Sequence, residues 1–303
     1  MRVTQSMLTN NMLRNISNSY QNLGTYMEQL STGKKINRPS DDPVVAMKGM
    51  NYRTVVNQNE QYERNIGEVH NWLDNTDSAL DKNQKVLERL KELAVQAANG
   101  TYEEGERGNI AAEVKQLREQ LLDVANTKVN NKYIFSGTAT TGDNGNPPFQ
   151  IDKDTLEVTF HGNNNQVKLE VSAGSQLPVN TKANEFYNNE ENDLFADLLE
   201  FTKKLEDESF SDNEFTEYIG VIDTHINNNV NARADLGARQ NRIDLVESRV
   251  KEQTVTAKDM MSKNENANLE EVIMNLTSQE AVHRAALSAG ARVIQPSLLD
   301  FLR

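Results

Sequence analysis

The sequence predicts a mainly α protein: a long antiparallel helical bundle or coiled coil formed by the N- and C-terminal halves, with a small β-rich domain inserted in the middle. Three observations predict it. Apolar residues recur at alternating three- and four-residue spacings over long stretches towards both ends, as a helical seam requires. That pattern stops between Gly137 and Asn192, where Gly, Asn and Pro become frequent. Hydrophobic residues make up only 37% and aromatics 6% of the 303 residues, too little apolar material for a thick spherical core.

The first helix carries Leu13, Ile16, Tyr20, Leu23, Met27 and Leu30 on one seam and is expected to stop near Ser31. Gly33 supplies a helix-ending conformation, and Pro39 and Pro43 forbid helix through the loop LSTGKKINRPSDDP. Asp41 and Asp42 are paired carboxylates, but capping the helix that begins near Pro43 explains them better than catalysis does. The second helix has the longest seam: Tyr62, Ile66, Val69, Leu73, Thr76, Leu80, Asn83, Leu87, Leu90, Ala94 and Ala97. Asn83 is a polar position that could fix its register. Asn99 and Gly100 close this helix.

A third helix begins near Gly108, with Ile110, Val114, Leu117, Leu121 and Val124 in register, and ends at NNKYIFSGT, where Tyr133 to Phe135 read as extended. The segments TLEVTFH and QVKLEVS alternate apolar and polar residues around Gly162 to Asn165, so a hairpin is expected with Leu156, Val158 and Phe160 opposite Val167, Leu169 and Val171. Six apolar side chains do not hold a hairpin alone, and Phe149 and Ile151 are expected to help complete a small β subdomain. A fourth helix carries Ile243, Val246, Val250, Ala257 and Met260, preceded by Ile219, Ile222 and Ile226. The last helix bears Leu269, Ile273 and Leu276 on one stripe and Val282, Ala286, Ala289 and Val293 on a shifted one, before Pro296 stops it. Leu298, Leu299, Phe301 and Leu302 then form an apolar tail that an isolated chain would expose at a cost.

This layout implies three regions: a terminal coiled-coil domain of residues 1–40 with 265–303, a long-helix bundle of 41–136 with 193–264, and an outer β-rich insertion of 137–192. The seam side chains of the first helix bury too little apolar surface to offset the entropy of ordering so many residues. Both ends are therefore expected to be disordered in the monomer and to fold when neighbouring copies add contacts.

Composition excludes several function classes. The net charge of −13 repels phosphate backbones, so nucleic acid is a poor partner. The acid-rich stretch Glu185 to Glu217 reads as a solvated helix face or linker. With no cysteine there is no disulfide, thiolate metal site or cysteine nucleophile. No apolar run is long enough to span a membrane, and the first residues lack the basic-then-apolar pattern of a cleaved signal. The histidines, His70, His161, His225 and His283, are far apart in sequence and read as surface or seam residues, and no glycine-rich phosphate loop or GxSxG occurs. Trp72, the single tryptophan, reads as packing beside the seam. No catalytic residue, cofactor or metal ligand emerges, and a structural protein rather than an enzyme is expected.

Several segments carry a resemblance. They are MRVTQSM at the start, LSTGKKINRPSDDPVVA at Leu30 to Ala46 and WLDNTDSALDKNQKVLERLKELAVQAANGT at Trp72 to Thr101. They continue in ANTKVNNKYIFSGT at Ala125 to Thr138, LGARQNRID at Leu236 to Asp244 and SLLDFL at Ser297 to Leu302. On these the chain resembles the flagellin family of bacterial flagellar proteins. The PSDDP loop and the NKYIFSG segment are similar to the branch that joins hook to filament, whereas a filament flagellin would carry a DDAAG-like loop and an FNGKKLL-like segment there. Asn268 stands where relatives tend to have aspartate.

The resemblance implies a structural adaptor of the flagellum that self-assembles into a ring through terminal coiled coils. Its implied partners are further copies of itself, the preceding hook-associated protein, flagellin, an export chaperone and the type III export apparatus. It would be secreted unfolded, without a cleaved signal, to the hook-filament junction outside the cell. Filament flagellin is the alternative within the family. A helical signalling or adhesion module is a further one, for which a membrane anchor or receptor surface would be needed. The residues expected at the assembly interface are Leu13, Ile16, Tyr20, Leu23, Met27, Leu30, Leu269, Ile273, Leu276, Val282, Ala286, Val293, Leu298, Leu299, Phe301 and Leu302.

Overall fold

Six helices dominate the computed structural model, which describes residues 5–99, 104–142, 145–152, 155–189, 192–207 and 212–294. Helix α1 spans Gln5–Thr32, α2 Pro43–Ala98, α3 Glu104–Ala125, α4 Leu194–Glu206, α5 Asp212–Glu265 and α6 Leu269–Ile294. The chain divides into two compact units, residues 1–58 with 252–303 and residues 59–251. The divisions fall within α2 and α5, whereas the sequence places its boundaries at 40/41 and 264/265.

The stops and starts follow the chemistry of the loops. Gly33 ends α1 at φ +66°, a conformation that costs other residues a Cβ clash, and its N–H bonds the Gln29 carbonyl at 2.8 Å. Asp42 Oδ1 accepts from the Val44 and Val45 amides at 2.9 and 3.1 Å and so caps α2. Asp41 instead accepts from the Asn37 and Arg38 amides, and these bonds, Arg38 first, hold its carboxyl below the ordinary carboxylate range.

In the unit of residues 59–251 the α2 seam is buried along its length, from Ile66 through Leu73, Leu80, Leu87 and Leu90 to Ala97, with Tyr62 at its edge. Its polar members are buried too. Thr76 satisfies its hydroxyl on the Trp72 carbonyl at 2.8 Å, and Asn83 lies beside the hydroxyl of Tyr187, which burial pushes far above the usual tyrosine range. Antiparallel register against α5 is set by polar pairs: Asn229 Nδ2 donates to the Leu80 carbonyl at 3.1 Å, and Arg233 reaches Asp77 at 3.1 Å and Asp81 at 3.2 Å. Ile222, Leu236, Ile243, Val246 and Val250 supply the facing apolar side chains.

The acid-rich stretch, read as a solvated helix face or linker, holds helix α4. Glu200 and Glu206 point outward, while Leu194, Phe195, Leu198, Leu199, Phe201 and Leu205 are buried, and Asp193 caps its first turn by accepting from the Phe195 and Ala196 amides at 2.9 and 3.2 Å. The signal was present in the Asp193 cap followed by apolar residues at helical spacing.

The β segments form four antiparallel two-stranded pieces: β1 (Lys128–Val129) with β2 (Lys132–Tyr133), β3 (Phe149–Ile151) with β4 (Val158–Phe160), β5 (Lys168–Ser172) with β6 (Ser175–Pro178), and β7 (Asn188–Asn189) with β8 (Asn192–Asp193). The expected hairpin between residues 156–160 and 167–171 does not form. Each of those strands pairs with its other neighbour, β4 with β3 and β5 with β6. Gly174 at φ +71° turns the chain directly after β5, and the Asn-rich segment between β4 and β5 is committed elsewhere: Asn163 bonds Ser136 and Thr138, and Asn180 bonds both Asn165 and Val167. The β1–β2 turn is made by Asn130 and Asn131, both at positive φ, as a tight hairpin of this hand requires. None of these ribbons is large enough to stand alone. Phe135, Phe149 and Tyr187 bind them to α4 through Phe195, with ring centroids 5.4–5.8 Å apart, so strands and helices share one core.

Candidate assembly interface

In the terminal unit α1 packs along α6. The side chains that lose solvent on α6 are Val272, Leu276, Gln279, His283, Ala286 and Gly290, which alternate four and three apart. On α1 they are Met12, Ile16, Ser19, Leu23 and Tyr26. Small and polar groups draw the two helices close amid these apolar side chains. Gln279 Nε2 donates to Ser19 Oγ at 3.0 Å, and Gly290 sits so close that an added Cβ would fall 2.7 Å from Met12 Cε; at the seam's edge the His283 ring lies 6.1 Å from that of the exposed Tyr20.

This seam is rotated from the one expected for α1. Ile16 and Leu23 lie in it, but Leu13, Tyr20, Met27 and Leu30 do not, and Met12, Ser19 and Tyr26 take the remaining positions. The rotation has a local cause: Ala286 and Gly290 allow close approach beside Met12 and Ile16, and the Ser19–Gln279 bond fixes the angle. On α6, Leu276 and Ala286 turn inward, while Leu269, Ile273 and Val282 are exposed. Val293 falls within α6, and Leu298, Leu299, Phe301 and Leu302 lie outside the described residues.

The consequence is an apolar stripe without a cover in the single chain. Leu13, Tyr20 and Met27 recur every seven residues on α1 and are 53%, 70% and 61% exposed. Ile273, Met274, Val282 and Leu287 leave α6 similarly open. Large apolar side chains in such a row mark a contact surface.

A second feature of this unit escaped the sequence. Glu265, the last residue of α5, is buried, and its Oε2 receives Arg53 Nη2 at 2.7 Å and Lys34 Nζ at 3.1 Å. The Arg53 bond is the main reason its carboxyl stays below the usual glutamate range despite burial. Around it the Lys35 amide donates to the Glu265 carbonyl at 2.7 Å, the Ala267 amide to the Gly33 carbonyl at 2.9 Å, and Asn264 Nδ2 to the Val45 carbonyl at 2.9 Å. The loop between α1 and α2 is thereby clipped to the turn between α5 and α6, which sets where α1 ends and α6 starts. Nothing in the spacing marks Glu265, because its partners lie more than two hundred residues away in sequence.

Among the described residues no helix is long and apolar enough to cross a membrane. The model of the bacterial flagellin N-terminal helical region matches residues 3–140, and that of the flagellin C-terminal helical region matches residues 219–302. The chain is 27% identical to flagellar hook-associated protein 3 of Escherichia coli (strain K12), over 94% of this chain and 96% of that one. It is 25% identical to flagellar hook-associated protein 3 of Salmonella typhimurium, over 94% and 95%. The crystal structure of flagellar hook-associated protein 3 from Legionella pneumophila superposes with a TM-score of 0.63 at 16% identity, covering 70% of this chain and 97% of that one, and shares the fold. The two matched helical regions, at both ends of one chain, place it in the flagellin family of bacterial flagellar proteins.

Proposed function

We propose that this chain is a structural adaptor of the bacterial flagellum, the subunit that joins the hook to the flagellin filament. The uncovered row Leu13, Tyr20 and Met27 on α1 carries the assembly part of this reading. Similarity to hook-associated protein 3 of two bacteria over nearly the whole chain supports the place of assembly. The subunit forms a ring with further copies of itself, the preceding hook-associated protein on one side and the first flagellin layer on the other. It reaches that place by type III export, held by a chaperone and threaded unfolded, and it works outside the cell. It is no enzyme: its role is to match two different lattices, for which it needs contact surfaces and no reacting group. Its terminal domain, residues 1–40 with 265–303, orders on assembly.

Deleting the gene in its host tests this directly. Hooks should still assemble while flagellin is released as unattached monomer. Normal filaments on the deletion strain would refute the junction role.

A further inference from the structure

His70 lies on α2 one residue beyond the fully buried Val69, and it faces two carboxylates on α5 that are three residues apart, Asp244 and Glu247. His70 Nε2 is 3.1 Å from Glu247 Oε2 and 3.8 Å from Asp244 Oδ1, and one ligand atom from each of the three lies within 4.8 Å of the others. Buried neighbours on the same helices, Ile243 and Val246, hold the backbones that carry these groups.

We propose that His70, Asp244 and Glu247 form a site for a borderline divalent cation of the zinc class, bridging α2 and α5. Bonds of about 2.0–2.2 Å at tetrahedral angles put neighbouring ligand atoms roughly 3.4 Å apart. The two distances to His70 bracket that value and the third lies within 4.8 Å, so loading the site takes side-chain adjustment and no movement of helices. One imidazole with two carboxylates and no thiolate suits zinc, cobalt or nickel, and the imidazole disfavours calcium and magnesium. Lys251 Nζ binds the other oxygen of Glu247 at 2.5 Å, which keeps that carboxylate ionised and leaves Oε2 turned to the histidine. Water would fill the outer positions, since Asp244 is 64% exposed. A bound ion would fix α2 against α5 at the end of the polar ladder formed by Asn229 and Arg233. This inference does not depend on the junction role.

The test is calorimetric titration of the full-length chain with zinc chloride alone, in a non-chelating buffer containing excess magnesium. One equivalent should bind, at least tenfold more weakly in both H70Q and E247Q, and unchanged in H161Q. Cobalt should give a visible absorption band in the wild type that is absent from H70Q. Circular dichroism of each variant shows whether the helices remain. No one-equivalent isotherm, or the same isotherm in well-folded H70Q and E247Q, would overturn the site and leave an ordinary ion pair.

Discussion

Asp193 at the start of α4 sets two opposed effects against each other, and a pair of substitutions separates them. Its carboxylate caps two amides, Phe195 and Ala196, and such a cap is worth about 1 kcal/mol, within roughly 0.5–2. The same carboxylate is partly buried, and burial, with the nearby Asp197, raises its pKa despite the cap bonds and His225. A carboxylate raised on folding favours the native state below its ordinary pKa, and that contribution is lost as pH rises through the raised value. Asp193→Asn keeps the acceptor and removes the charge, so at pH 7 it should be at least as stable as the wild type. The two should converge as pH falls through the raised Asp193 pKa, where the wild-type carboxyl protonates. Asp193→Ala removes the acceptor and should lie about 1 kcal/mol below the Asn variant at every pH. Urea unfolding followed by the fluorescence of Trp72, the single tryptophan, which is buried in the same core, reads all three. An Asn variant less stable than the Ala variant at pH 7, or a gap between wild type and Asn variant that ignores pH, would refute this account.

Phe149→Ala should lower the stability read by Trp72 by about 3–5 kcal/mol, because Phe149 is 1% exposed and packs on Phe160, Tyr187 and Phe195; a loss under about 1 kcal/mol would contradict a shared core. Tyr20→Asp, at an exposed position, should change monomer stability by less than about 0.5 kcal/mol yet abolish incorporation into flagella, and normal motility would remove the α1 stripe from the interface. Leu23→Asp, in the α1–α6 seam, should also block incorporation while leaving the Trp72 transition unchanged. Hydrogen exchange on the isolated monomer should find Leu13 to Leu30 weakly protected, and strong uniform protection there would show that the ends fold without neighbours. Glu265→Gln should weaken the clip at the ends of α1 and α5, seen as fewer incorporated subunits. In the wild type the clip should fail as pH falls through the lowered Glu265 pKa, since protonation removes the charge that Arg53 and Lys34 bind.

The long seams were legible because a buried helix face repeats at a spacing set by backbone geometry alone, which is why every α2 seam position from Ile66 to Ala97 falls inside. The loop boundaries were legible for a similar reason, through Gly33 and Asp42. Strand pairing was not, because alternation marks a strand without naming its partner, and the partner was decided by side-chain amides such as Asn163 and Asn180. The α1 seam went astray because α1 is apolar on more than one face. Leu13 and Met12 are neighbours, both apolar, and only the small residues of α6 decide which turns inward. Glu265 and the His70 cluster depend on residues distant in sequence, to which local pattern is blind.

The α1–α6 seam, drawn close by Ser19, Gln279 and Gly290, leaves a second row of large side chains on each helix for other contacts. A pairing that leaves so much apolar surface open should gain from added copies by mass action. Below a threshold concentration of subunits, or away from a template, the ends have too little to gain by leaving solution. Beside a ring of the proposed kind, displaying a complementary row, they would gain a whole face at once. Growth should therefore show a lag that preformed ends abolish, and the place where the structure begins would be chosen by the template and not by the subunit.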